Sequence, residues 1–215
     1  MSRVRVSAYA VSVDGYGAGP NQSLKAPLGE GGENLHKWFF PTRTFRAQHM
    51  GADDGSEGLD NDYARASMDG VGAWIMGRNM FAHSRGPWPD DGWQGWWGDV
   101  PPYHCDVFVL THYERAPLTL ADTTFHFVTG GPDEALTRAS MAAGDKDIRI
   151  GGGAATIRQY LAKGQIDLLH LVQSPVLLGA GEPLFAGLDL SAPGYAITKS
   201  EASEAATHLT IERQS

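Results

Sequence analysis

A chain of 215 residues with 42% hydrophobic and 20% charged residues can bury a sizeable core and is read as one domain over residues 1–215. Its 17 basic against 25 acidic residues, net −8, argue against a nucleic-acid partner, whose affinity rests on basic patches. A single cysteine, Cys105, allows no intrachain disulfide and fits a reducing, cytoplasmic setting; with no apolar stretch of secretory or spanning character, membrane insertion is not expected.

In chain order, Val4, Val6, Ala8 and Ala10 alternate with Arg3, Arg5, Ser7 and Tyr9, the period of a strand, which ends at Asp14-Gly15. Residues 16–32, rich in Gly, Pro, Asn and Gln, read as a long loop of the kind that covers sites, followed by a short helix from Glu33 to Phe39. A polar stretch, Gly51 to Gly58, precedes a helix from Leu59 to Met68 and the strand Ala73-Trp74-Ile75-Met76, which breaks at Gly77-Arg78-Asn79 into a helix. Residues 86–102 carry Trp88, Trp93, Trp96 and Trp97 among too many breakers for regular structure, so this segment must fold over something apolar, as a pocket wall, a local minicore or an interface.

Asp106–Thr111 and Thr124–Val128 are short apolar runs suited to central strands of a parallel sheet. Pro132 to Ala143 has helical spacing with proline in the first turn. The strand Ile148–Ile150 then meets Gly151-Gly152-Gly153 and a helix burying Ile157 and Leu161, before another strand at 167–172. Tyr195–Glu201 and Ala206–Glu212 read as a terminal antiparallel hairpin, so the sheet is mixed and mainly parallel.

The triple-glycine turn is the main functional signal. Glycines let backbone approach a pyrophosphate without Cβ interference, and the next helix offers free N–H groups and its positive dipole end. The competing reading is a tight connection with no ligand. Thr156 stands where the third glycine of G-x-G-x-x-G would be, and the motif comes late in the chain, so an ordinary Rossmann domain is disfavoured. Adjacent His104, Cys105 and Asp106 point in alternating directions and have no ligand pair at i, i+4, so no metal site is read there. Cys105 reads as a buried structural thiol.

Four segments in order carry a family likeness: Ser12-Val13-Asp14-Gly15, Ala73-Trp74-Ile75-Met76-Gly77-Arg78, Gly151-Gly152-Gly153 and Val176-Leu177-Leu178-Gly179-Ala180-Gly181. Together they resemble the dihydrofolate reductase-like superfamily, in its branch related to the C-terminal reductase domain of riboflavin biosynthesis. The resemblance implies a three-layer α/β fold with about eight strands and a homodimer. It implies NADPH across the middle of the sheet, contacted by Gly77, Arg78, Asn79 and Met80 on one side and by Gly151, Gly152, Gly153, Ala154, Ala155 and Thr156 on the other. Thr111 and His112 are implied at the 2′-phosphate; alternatively His112 is a surface turn residue.

On the substrate side the resemblance offers Glu182, which otherwise reads as a solvated loop acid, and Glu33 and His36 of the first helix as catalytic candidates. Ala154 and Thr156, where many dihydrofolate reductases carry a basic or polar and then an aromatic residue, point away from dihydrofolate itself. The expected activity is NADPH-dependent reduction of a small pterin- or ribosylaminopyrimidine-like heterocycle. The alternative is a non-catalytic nucleotide- or small-molecule-binding protein that keeps the fold.

Overall fold

The computed structural model describes residues 2–82, 84, 86–89 and 92–214. Its strands are β1 (Val4–Val11), β2 (Val71–Gly77), β3 (Asp106–Leu110), β4 (Leu118–Leu120), β5 (Thr123–Val128), β6 (Asp147–Gly152), β7 (Leu168–Gln173), β8 (Tyr195–Ala202) and β9 (Thr207–Arg213). They form one sheet in the order β4-β5-β3-β2-β6-β1-β7-β9-β8. The six strands from β5 to β7 run parallel, and β4, β9 and β8 are antiparallel additions at the two edges. The fold is the α/β arrangement expected, with a mixed, mainly parallel sheet and a C-terminal antiparallel hairpin. The ninth strand, beyond the eight expected, is β4, three residues too short to show a period.

The helices are α1 (Arg43–Met50), α2 (Leu59–Met68), α3 (Arg78–Phe81), α4 (Pro132–Ala143) and α5 (Ala154–Ala162). The helix expected at Glu33–Phe39 is a single 3-10 stretch, Gly32–His36. Helices α4 and α5 cover one face, where Ala135, Ala139, Ile157 and Leu161 pack on Val6, Ile75, Phe108, Ile150 and Leu169. The opposite face carries α2, α3 and the tryptophan segment. Trp88 and Trp93 of that segment pack with Phe81, Phe125 and Phe127 over β2, β3 and β5, so it forms a local minicore. The void left beneath it is about 10 Å³, roughly one water. Asp90 and Asp91 of this segment lie outside the described residues.

Strand β1 departs from the simple alternation. Val6 to Tyr9 spans three residues opposite the two from Leu169 to Leu171 of β7, a bulge in which Ala8 takes φ 55°. The bulge inverts the parity, so Tyr9 joins Val4, Val6 and Val11 on the α4/α5 side. Both faces of β1 are covered, and its outward arginine is put to use: Arg5 Nη1 donates to Ala66 O at 3.1 Å and Nη2 to Asp69 O. From β6, Arg149 donates to Ser67 O at 2.7 Å and to Ser7 O at 2.9 Å and lies over the Trp74 ring at 4.2 Å. Two buried guanidinium groups therefore meet the unpaired carbonyls and negative dipole end of α2. Burial, with Arg5 adjacent, pushes Arg149 down to about 9.

Candidate active site

The carboxyl ends of the six parallel strands share one edge of the sheet, and two features open it there. Connections from β1 and β2 run toward β5 while that from β6 runs the opposite way to β7, so the chain changes direction between neighbouring strands. In addition, β1 and β6 pair only at Val4↔Ile148 and Arg5↔Arg149 among the described residues. Beyond Arg5 the two strands part, while β6 continues its ladder with β2 through Ile75↔Ile150 and Met76↔Gly152. The result is a parting in the sheet, with β1 on one side and the triple-glycine turn on the other.

The glycine segments meet at this edge. A Cβ on Gly77 would lie 2.4 Å from Thr156 Oγ1, so only glycine at the end of β2 admits the first turn of α5. A Cβ on Gly151 would lie 3.0 Å from Trp74 and 3.1 Å from Met80, which makes that glycine a packing requirement. Gly152 adopts φ 133°, and its Cβ position is 3.3 Å from the Tyr9 ring. Gly153 caps α5, is exposed, and faces open space; no side chain caps the helix, and Ala154 and Thr156 are buried behind it. Thr156 N and Ile157 N already donate to Gly153 O, and the open space beside Gly153 leaves room for an anion at the start of α5.

The other expected cofactor residues lie along the same edge of β2 and β3. Arg78 Nη1 donates to Gly86 O at 2.5 Å and Nη2 to Ser84 Oγ at 3.1 Å, and the group stacks on Trp88 at 3.9 Å. Its charge fastens the entry to the tryptophan segment. Asn79 is exposed. Thr111, buried at the end of β3, accepts from Tyr113 N at 3.2 Å through Oγ1, and His112 is exposed beside it.

A depression of about 500 Å³ lies next to this turn, lined by Glu114, Arg115, Ala116, Phe127 and Thr129. Arg115 was not foreseen from sequence, where it is an isolated basic residue in a polar turn. It donates to Trp93 O at 2.6 Å and lies 5.0 Å from the Phe127 ring centroid and 5.1 Å from that of Trp88.

The catalytic candidates stay apart: no hydrogen bond or ion pair joins Glu33, His36 and Glu182 to one another. Glu33 is exposed. Among the described residues, His36 Nδ1 is buried without a hydrogen-bond partner, as is Trp38 Nε1, and burial pushes the imidazole below its usual range. Glu182 is half-buried where residues 16–18 meet residues 181–184: Glu182 O accepts from Gly17 N and its N–H donates to Ala18 O, both at 2.9 Å. Asp14 of the Ser12–Gly15 segment accepts from Leu178 N at 3.1 Å and Gly179 N at 2.7 Å, tying two of the family-like segments together. Cys105 is a resting thiol, pushed up to about 12 by burial, and its neighbour His104 pairs with Asp122 at 2.8 Å instead.

With this geometry in place, the family model of the RibD C-terminal domain matches residues 4–209. The chain belongs to that family. It is an oxidoreductase of the reductase type found there. The putative riboflavin biosynthesis protein from Shewanella sp. PV-4 aligns over 100% of both chains at 24% identity with a TM-score of 0.62. The diaminohydroxyphosphoribosylaminopyrimidine deaminase/5-amino-6-(5-phosphoribosylamino)uracil reductase from Thermotoga maritima is 14% identical with a TM-score of 0.57; the match covers 99% of this chain and 57% of that one. A pyrimidine reductase-like protein from Corynebacterium diphtheriae is 16% identical with a TM-score of 0.53, covering 98% of this chain and 91% of that one. No curated protein matches the chain.

Proposed function

We propose that this reductase binds NADPH along the carboxyl edge of the sheet and reduces a small heterocycle, pterin-like or ribosylaminopyrimidine-like. The observation that carries the reading is the meeting of Gly77, Gly152 and Thr156 beneath the open, uncapped start of α5. The cradle suits a pyrophosphate because any Cβ at Gly77 would displace Thr156, and because the space beside Gly153 at the positive end of α5 is open. At the β3–β5 end, Arg115 and Thr129 line the depression together with Glu114, and Thr111 and His112 lie in the adjoining turn; Arg115 and the threonine hydroxyls are the donors offered to a 2′-phosphate.

NADPH supplies the hydride; the protein's part is to hold, orient and exclude water. His36, pushed below its usual range by burial and with Nδ1 unpartnered among the described residues, is available to hydrogen-bond a polar ring edge from the 3-10 turn. Glu182, whose backbone pairs with Gly17 and Ala18 beyond the end of β1, orients an amine or hydroxyl there. The substrate class rests on the family and on the names its structural neighbours carry.

Titration calorimetry with NADPH and NADH tests the cofactor directly. Micromolar NADPH binding with at least tenfold weaker NADH is expected, and Arg115→Ala is expected to erase that preference. Failure to bind either nucleotide removes the reading.

A further inference from the structure

The parting between β1 and β6 holds a residue to which none of the foregoing gives a role. Tyr9 lies on β1 where the strand has parted from β6. Its ring faces Gly152, and a Cβ on Gly17 would lie 2.2 Å from its hydroxyl. Two glycines from opposed loops therefore clasp one phenol. The hydroxyl makes no hydrogen bond with any described residue, although Glu182 and Arg158 are its charged neighbours. An unpaired phenol hydroxyl where the two strands part is a donor available to a ligand.

Tyr9 reaches this place only because of the bulge. The left-handed Ala8 costs roughly 1–2 kcal/mol for a residue with a Cβ, and the structure around it holds that conformation. The amide freed by the bulge, Ala8 N, donates to His170 Nδ1 at 3.1 Å. His170 Nε2 must then carry the proton and donate to His208 Nδ1 at 3.0 Å, and His208 Nε2 donates to Asp60 Oδ1 at 2.7 Å. Both imidazoles are buried, stacked against the Tyr63 ring at 4.2 and 4.5 Å, and Trp38 closes the end of His208. The chain is polarised in one direction with every ring nitrogen satisfied, from α2 through β9 and β7 to the bulge in β1.

Lateral position indicates what Tyr9 meets. Strands lie about 4.8 Å apart, so β5 to β1 spans about 19 Å, the reach of an extended dinucleotide. With the 2′-phosphate at the β3–β5 end and pyrophosphate at the β2–β6 glycines, the remaining half of the cofactor falls over β1. We propose that the Tyr9 hydroxyl donates a hydrogen bond to the nicotinamide-riboside half of NADPH, and that Asp60, His208 and His170 are positioning residues that hold the β1 bulge and so aim it. This rests on the NADPH reading and goes beyond it by assigning a residue and its support.

The test compares NADPH with 2′,5′-ADP, which lacks the nicotinamide half, by calorimetry on the full chain. Tyr9→Phe is expected to weaken NADPH about three- to tenfold, the loss of one hydrogen bond, and to leave 2′,5′-ADP within twofold. Asp60→Leu is expected to show the same split, Asp60→Asn, whose amide oxygen still accepts from His208, to restore affinity, and Tyr9→Phe/Asp60→Leu to be no weaker than either alone. Unchanged NADPH affinity in Tyr9→Phe, or equal weakening of both ligands, overturns the contact. Additive losses in the double variant overturn the positioning role. If the unaltered protein binds 2′,5′-ADP but not NADPH, the proposal fails while the phosphate site stands; if it binds neither, the NADPH reading itself fails.

Discussion

On one face of the sheet, Ala135, Ala139 and Ala143 of α4 lie against Ala73, Ile75 and Phe108, and stability there is a matter of fit. On the other face, away from the tryptophan minicore and beside β1 and β6, Arg5, Arg149, His170 and His208 are buried, and contact is made by hydrogen bonds to helix ends, strand bulges and aromatic rings. The apolar face needs only volume and shape. The polar face needs every donor matched, because one missing partner leaves a buried polar group exposed to the low-dielectric interior. That costlier chemistry sits beside β1 and β6, where the sheet must part, and stacking of small apolar residues could not hold a parted strand in one conformation.

The contrast is broken most directly by cutting each face and varying pH. Ile157→Ala on the apolar face, at a fully buried site, is expected to cost about 3 kcal/mol, equal at pH 7 and pH 4.5, by urea denaturation. The polar face should respond to pH. Burial and the adjacent His208 push His170 down to about 3 from an unfolded value near 6.5. The unfolded chain therefore binds the proton more readily, so the stability tied to neutral His170 is complete above pH 6.5 and lost as pH falls toward 3. The expected slope approaches about 1.4 kcal/mol per pH unit in that window. His170→Gln, with no proton to take up, should flatten it; an unchanged slope would show that carboxylates alone carry the acid sensitivity.

The same division decides what could be read from sequence. The apolar-face elements announced themselves: α4 at Pro132–Ala143 has the expected bounds, and the parallel runs β3, β5 and β7 are where continuous apolar stretches place them. Helix α1 gave no such signal, because none of its residues is buried; it is held by the Thr42 cap on Phe45 N and by ion pairs of Arg43 and Arg46 with Asp53, Glu57 and Asp54. The alternation in β1 was legible but its parity beyond Val6 was not, since the bulge depends on His170, 162 residues from Ala8.

At the site, the glycine turns were visible as composition, while the approach of Gly77 to Thr156 depends on β2 and β6 being neighbours. Arg78 carried a visible charge whose partner, Gly86 O, no local pattern indicates.

That approach of the two turns can be tested on its own. Gly77→Ala introduces no forbidden dihedral, since Gly77 has φ −75°, so its cost is steric: the new Cβ meets Thr156 Oγ1. A loss of about 1–2 kcal/mol is expected, recovered largely in Gly77→Ala/Thr156→Ala. A Gly77→Ala cost that Thr156→Ala does not relieve would mean that the clash is taken up elsewhere, and that the two turns do not form one unit.

The smallest expected effect belongs to Asp14, which lies in neither face but at the open edge. Ser12 and the amides of Leu178 and Gly179 donate to its carboxylate and hold it down at about 2. A depressed acid contributes its stability above the unfolded pKa near 4 and loses it as pH falls through the folded value. Asp14→Asn keeps an acceptor oxygen but not the charge, so its melting temperature should lie slightly below that of the unaltered protein at pH 7, with the gap closing as pH approaches 2. Because the residue is exposed, added salt should narrow the same gap at pH 7. A gap indifferent to both salt and acid would mean that the turn is held by its hydrogen-bond geometry alone, and that the charge of Asp14 contributes nothing to joining β1 to residues 177–181.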